Sequence, residues 1–145
     1  MKKTLEEARA MIASGQAGLV IIKDGSVAHT ANGRGVLALL GLYRENPQIL
    51  ENACVADKIT GKAAAMILAL GGAAEVYGEV MSKHAFEYLM RRGIPARFTI
   101  LVEAIAARDG KGVCPVEKSV LDLDDPAEGL QRITETIAAI IPTTN

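Results

Sequence analysis

Ala56-Asp57-Lys58-Ile59-Thr60-Gly61-Lys62-Ala63-Ala64-Ala65 is the stretch on which the reading of this chain turns. Beyond it the sequence stays almost wholly apolar through Met66, Ile67, Leu68 and Leu70. Ile59, Ala63, Met66, Ile67 and Leu70 fall on one helical face, with Ala64, Ala65 and Leu68 filling most of the rest. The spacing predicts a buried helix with Asp57 as its N-cap and with Lys58 and Lys62 one turn apart at its start. The helix dipole is positive there, and like charges four residues apart repel, each effect being worth roughly a few tenths of a kcal/mol. A phosphate, a ligand carboxylate or a neighbouring acidic side chain would relieve both, and free N–H groups at the helix start would add donors. The alternative is that both lysines snorkel to solvent from a helix end. Gly61 costs about 1 kcal/mol against alanine inside a helix, which fits either the close approach of a ligand or backbone, or tight packing on a sheet. Gly61-Lys62-Ala63 is not a Walker A fragment, because position 56 is Ala56 and Ala63 stands where Ser or Thr is needed.

Upstream, Leu5 to Ala13 reads as an amphipathic helix and Gly18 to Lys23 as a continuous apolar strand. Asp24-Gly25 signals a tight hairpin turn into a return strand, Ser26 to Ala31. Asn32-Gly33-Arg34-Gly35 then leads to a helix from Val36 to Arg44, and Asn46-Pro47 opens a turn. The apolar run Ala53-Cys54-Val55-Ala56 reads as core. Downstream, Gly71-Gly72 ends the lysine-headed helix. Ala73 to Val80 is a strand, and a helix follows from a Ser82 N-cap to Gly93. Pro95 blocks continuation, Arg97 to Ala104 is a strand, and Asp109-Gly110-Lys111-Gly112 is a flexible loop. Two helical pieces close the chain, the last with Asp125 as cap, Pro126 at its first position and Glu128 in its first turn. A hairpin pairs antiparallel, whereas strands separated by helices pair parallel through right-handed crossovers. The expected fold class is therefore α/β, a three-layer α/β/α sandwich with a mixed sheet, in a single domain over residues 1–145.

Composition narrows the function. The 145 residues are 50% hydrophobic and 23% charged, enough for a sizeable core. A formal net charge of −1 with 3% aromatics and no Trp argues against nucleic acid, since neither an electrostatic footprint nor a stacking platform is present. Asp57, Lys58 and Lys62 interrupt the only candidate membrane span. Glu6, Glu7 and Arg9 stand where a signal peptide would need its apolar region. The expected location is the cytoplasm, with Cys54 and Cys114 as reduced thiols.

Gly33-Arg34-Gly35, Asp57-Lys58-Ile59-Thr60-Gly61-Lys62-Ala63-Ala64 and Cys114-Pro115-Val116-Glu117, in that order and spacing, resemble a small uncharacterised prokaryotic family with a cytidine-deaminase-like fold. The resemblance implies a mixed sheet between helices, with a site at the N-terminus of the helix after the hairpin and at the strand end before the next helix. It does not imply zinc. A deaminase of that fold carries His or Cys two residues before a Glu at the first helix start and Pro-Cys-x-x-Cys at the second. Here the first reads Ala56-Asp57-Lys58 and the second Val80-Met81-Ser82-Lys83-His84-Ala85, while His29 and His84 stand singly on separate elements. No metal and no other cofactor is expected.

The remaining candidates follow from local chemistry. Cys114 reads as the N-cap of a short helix opened by Pro115, where N–H groups favour a thiolate, and Glu117 reads as closing a capping-box-like return bond. The alternative is a small hydrophobe at a tight turn. Gly33-Arg34-Gly35 offers backbone N–H groups and a guanidinium for phosphate or carboxylate. Asp122, Asp124 and Asp125 read as capping rather than calcium-binding residues. Three functions stay open. One is a zinc-independent enzyme using Asp57, Lys58 and Cys114 as catalytic residues. The second is a non-catalytic sensor that holds a small anionic ligand, nucleotide or phosphorylated metabolite with Lys58, Lys62, Arg34 and helix-start amides, with Gly33, Gly35, Gly61, Ser82 and Glu117 as further ligand-binding residues. The third is a structural protein whose apolar helices build a homo-oligomer.

Overall fold

A computed structural model describes residues 2–32, 35–107 and 109–140 of the chain. The first two strands, β1 (Leu19–Lys23) and β2 (Ser26–Ala31), pair antiparallel. Asp24 and Gly25 between them take φ values of 52° and 80°, the left-handed pair whose twist matches that of the flanking strands. The hairpin read from Asp24-Gly25 is therefore present. β3 (Cys54–Thr60), β4 (Glu75–Ser82) and β5 (Ala96–Val102) complete a five-stranded sheet of order β2-β1-β3-β4-β5. β3 runs antiparallel to β1, while β3, β4 and β5 run parallel.

The structure departs most from the sequence reading at residues 54–60. Residues 54–60 are not the lead-in and first turn of a helix but the central strand, and the helix α3 (Lys62–Gly71) begins only after them, with Gly61 as N-cap and Gly72 as a left-handed C-cap. The physical reason is pairing on both edges. Leu19 pairs with Asp57 on one side of β3 and Gly78 on the other, so these backbone groups find partners in a ladder. Asp57 is thus no helix cap, and Lys58 and Lys62 are not neighbours on a helical face. Nor does Gly61 pay the cost of a helix interior.

The other helices are α1 (Lys2–Ala13), α2 (Val36–Glu45), α4 (Lys83–Arg91), α5 (Pro115–Ser119) and α6 (Pro126–Ile140), with a 3-10 turn at Pro47–Leu50. Ser82 caps α4 as expected, its Oγ accepting the Ala85 N–H at 3.1 Å. Asp125 accepts the Glu128 N–H at 3.0 Å, the start signal read before Pro126. On one face of the sheet α1 buries Leu5, Ala8 and Ile12 against Val20, Ile22, Ala56 and Tyr77. On the other, Leu39, Met66, Ile67 and Leu89 of α2, α3 and α4 cover Leu19, Ile21, Val55 and Val76. Each large apolar side chain so enclosed contributes about 1.5–3 kcal/mol. The result is the expected three-layer sandwich. Among the described residues no helix is long and apolar enough to cross a membrane.

Candidate functional site

At the carboxyl ends of β3 and β4, where α3 and α4 begin, one side chain ties three segments together. Glu117, on α5, is only 2% exposed. Its Oε2 accepts the backbone N–H of Lys62 at 2.7 Å and the Ser82 hydroxyl at 2.5 Å, and its Oε1 accepts the Ile105 N–H at 2.7 Å. The charge that the α3 start calls for is supplied from within the chain, the neighbouring acidic side chain among the options the sequence left open. Glu117 does not fold back on Cys114 as a capping box. The Cys114 N–H instead donates to Ile105 O at 2.8 Å. Gly61 is small for the same reason: a Cβ there would lie 3.0 Å from both Glu117 Oε2 and Ile105 Cγ1.

The amine of Lys62 does not stand beside that residue's own N–H at the α3 start. Its side chain, 6% exposed, turns inward, where Nζ donates to Leu121 O at 3.1 Å and Leu123 O at 2.6 Å and lies 5.7 Å from the Tyr88 ring centroid. Burial, and then the Arg91 charge, push its pKa below the ordinary lysine value, against the opposing pull of Asp124, Asp122 and Glu117. Asp57 is 4% exposed, and burial raises its carboxyl to about 7 against the weaker lowering by the Ile59 and Lys58 backbone. Lys58 is half-buried, with no ion-pair partner among the described residues. Neighbours on a strand point to opposite faces, so Asp57 and Lys58 do not converge as a catalytic pair.

Cys114 is the N-cap of α5, as read, but its side chain makes no capping bond and is half-buried. It lines a cavity of about 50 Å³ with Gly35, Ile59, Gly61, Ile105 and Glu117. Gly35, Gly61, Cys114 and Glu117 therefore meet at one place, and Ser82 reaches it through its bond to Glu117. Gly33 and Arg34 lie outside the described residues. Cys54 is core, its thiol pushed up by burial and then by Glu75. Ile105 and the buried Thr60 hydroxyl, which has no partner among the described residues, went unread in the sequence. Neither carries a charge or a motif that could have signalled it.

The deaminase zinc set does not fit these helix starts. With α3 beginning at Lys62, the first start reads Thr60-Gly61-Lys62 rather than Ala56-Asp57-Lys58, and the second offers Ser82 and Ala85. Both are joined by the Glu117 carboxylate. Among the described residues no three His, Cys, Asp or Glu side chains are grouped to hold a metal ion.

The model of a domain of unknown function, DUF1893, matches residues 7–137. No curated protein matches. A solved DUF1893 family protein from Thermotoga maritima is similar over 93% of this chain and 90% of its own, with 27% identity and a TM-score of 0.83. A dCMP deaminase from the cyanophage S-TIM5, solved in its apo form, is more distant, with 13% identity and a TM-score of 0.48 over 67% of this chain and 94% of its own.

Proposed function

The chain belongs to the DUF1893 family of unknown function, and we propose that it is a binding domain for a small anionic metabolite, a nucleotide or another phosphorylated compound, held at the cavity beside Glu117. The observation that carries this reading is the convergence of Gly35, Gly61, Cys114 and a buried carboxylate on one cavity at the carboxyl ends of parallel strands, where open α/β sheets bind ligands. A carboxylate has about four acceptor positions. Three donors already bind Glu117, which leaves room for an N–H or O–H from a ligand. The ligand's own negative charge belongs away from Glu117, so its recognition falls to Arg34, which precedes Gly35 in the sequence. Lys58 drops out of the set, because its strand neighbour Ile59 lines the cavity and Lys58 points to the opposite face of the sheet. Lys62 drops out as well because its amine is spent on two carbonyls. A cavity of about 50 Å³ admits only a small donor group at Glu117, such as an edge of a base or a sugar hydroxyl, so the rest of a nucleotide, its phosphate included, would lie outside it.

The second reading is a zinc-independent enzyme with Cys114 as nucleophile. It is supported by the thiol lining the cavity and by Asp57, whose carboxyl near 7 suits a group that exchanges protons at neutral pH.

Thermal unfolding with phosphate, nucleotides and matched chloride tests the binding reading. Ligand linkage requires phosphate or a nucleotide to raise Tm beyond chloride, by the equivalent of about 2.7 kcal/mol at a hundred times Kd. Arg34→Met should lose that increment, whereas Lys58→Met, on the opposite face of β3, should keep it. Equal responses of wild type and Arg34→Met to every anion would reduce the effect to salt and overturn the reading.

A further inference from the structure

β5 is an edge strand, paired among the described residues with β4 alone, and its outer backbone groups are a template for another strand. Proteins blunt such edges with charges, proline or bulges. The opposite edge is treated that way, since the register of β2 on β1 shifts between Ile21 and Ile22 and leaves Ala28 unpaired. β5 carries such devices only at its ends, Pro95 and Arg97 before and Glu103 after: its register on β4 has no shift, and its central stretch Phe98-Thr99-Ile100-Leu101-Val102 holds neither charge nor proline. Phe98 is 38% and Ile100 52% exposed. Phe98 packs edge-to-face on Phe86 of α4, and Met90, one turn on from Phe86, is also 52% exposed. Together they make an apolar strip alongside the unpaired backbone.

We propose that β5 pairs antiparallel with β5 of a second copy of this chain, joining two sheets into one continuous sheet. Charge and sequence symmetry argue for a copy rather than an unrelated strand. With the two-fold axis at Ile100, that residue faces its own counterpart, Phe98 faces Val102 of the partner subunit, and Arg97 faces Glu103 of the partner subunit at both ends. Arg97 and Glu103 are each well exposed beyond their present ion pairs with Glu75 and Lys83. An isologous contact repeats every such pair, and cross-strand pairs of opposite charge stabilise whereas like charges directly opposite destabilise.

Sedimentation equilibrium of the full chain, with circular dichroism to verify folding, tests this. Wild type should be a dimer. Ile100→Lys places two cations opposite each other on the axis and should leave monomer at concentrations where wild type is dimeric. Arg97→Glu should raise the dimer Kd about ten-fold, two cross-strand pairs being lost, and Arg97→Glu combined with Glu103→Arg should restore it. A wild type that stays monomeric, a dimer that Ile100→Lys leaves intact, or a charge reversal that fails to rescue folded protein would each overturn the proposal. So would capture of an unrelated strand by a β5 that does not self-associate.

Discussion

Truncating Glu117 to alanine should cost on the order of 4 kcal/mol of folding stability. The N–H groups of Lys62 and Ile105 and the hydroxyl of Ser82 all lose their acceptor at once, and a buried donor left without one costs about 1–3 kcal/mol. The start of α3 also loses its compensating negative charge, adding up to about 1 kcal/mol. Ser82 keeps part of its role, because its Oγ still accepts the Ala85 N–H. Glu117→Gln preserves shape and one carbonyl acceptor, but its amide group then confronts a donor, and about half the loss should remain. Urea unfolding of the two variants against wild type reads both values. A loss below about 1 kcal/mol for Glu117→Ala would mean that water replaces the carboxylate and that Glu117 does not hold the helix starts together.

Stability should fall as pH rises through the interval between 3.8 and about 7, because of Asp57. Over that interval the native state keeps a proton on the buried carboxyl that the unfolded chain has released, so raising the pH favours unfolding. Below 3.8 both states hold the proton and the penalty vanishes, while above about 7 it is complete, on the order of 4 kcal/mol. Asp57→Asn should remove that component, making the variant more stable than wild type at pH 8 and about equal to it at pH 3.5. Urea titrations at several pH values decide the matter. Wild type and Asp57→Asn running parallel across the range would show that Asp57 is charged in the native state and held by a partner. The penalty also makes Asp57 an unusual residue for a central strand, of the kind that functional sites carry at the expense of stability.

Local chemistry made most of the fold legible. Asp24-Gly25 encodes its turn through left-handed backbone, Ser82 and Asp125 announce their helices by capping side chains, and Gly72 stops α3 in the conformation glycine favours. β3 was not legible, for a reason residing in its pairing. Asp57 and Lys58 break the apolar run that marks a buried strand, and Ile59 happens to continue the helical stripe of Ala63, Met66 and Leu70. What makes 54–60 a strand is the pair of strands beside it, β1 and β4, which no local pattern reveals. The site is divided in the same way. The demand for a negative charge at the α3 start follows from the helix itself, but that Glu117 meets it depends on contacts with residues 35, 55 and 12 positions away along the chain. Glu117 instead looked like a capping partner of Cys114, three residues before it. Lys62 misled because an amine at a helix start reads as exposed, whereas the carbonyls of Leu121 and Leu123 draw it inward.

Cys114 gives the most direct test of the cavity beside Glu117 as a ligand site. It lines that cavity half-buried, whereas Cys54 is enclosed with its thiol pushed up by burial, so an alkylating agent added to the native protein should modify Cys114 well before Cys54. The measurement is the rate of Cys114 alkylation, followed by mass spectrometry, with and without a phosphate or nucleotide series. The account predicts that at least one such ligand slows modification of Cys114 in wild type, and that Arg34→Met abolishes the protection. Rapid modification of Cys114 that no phosphorylated ligand slows would contradict it.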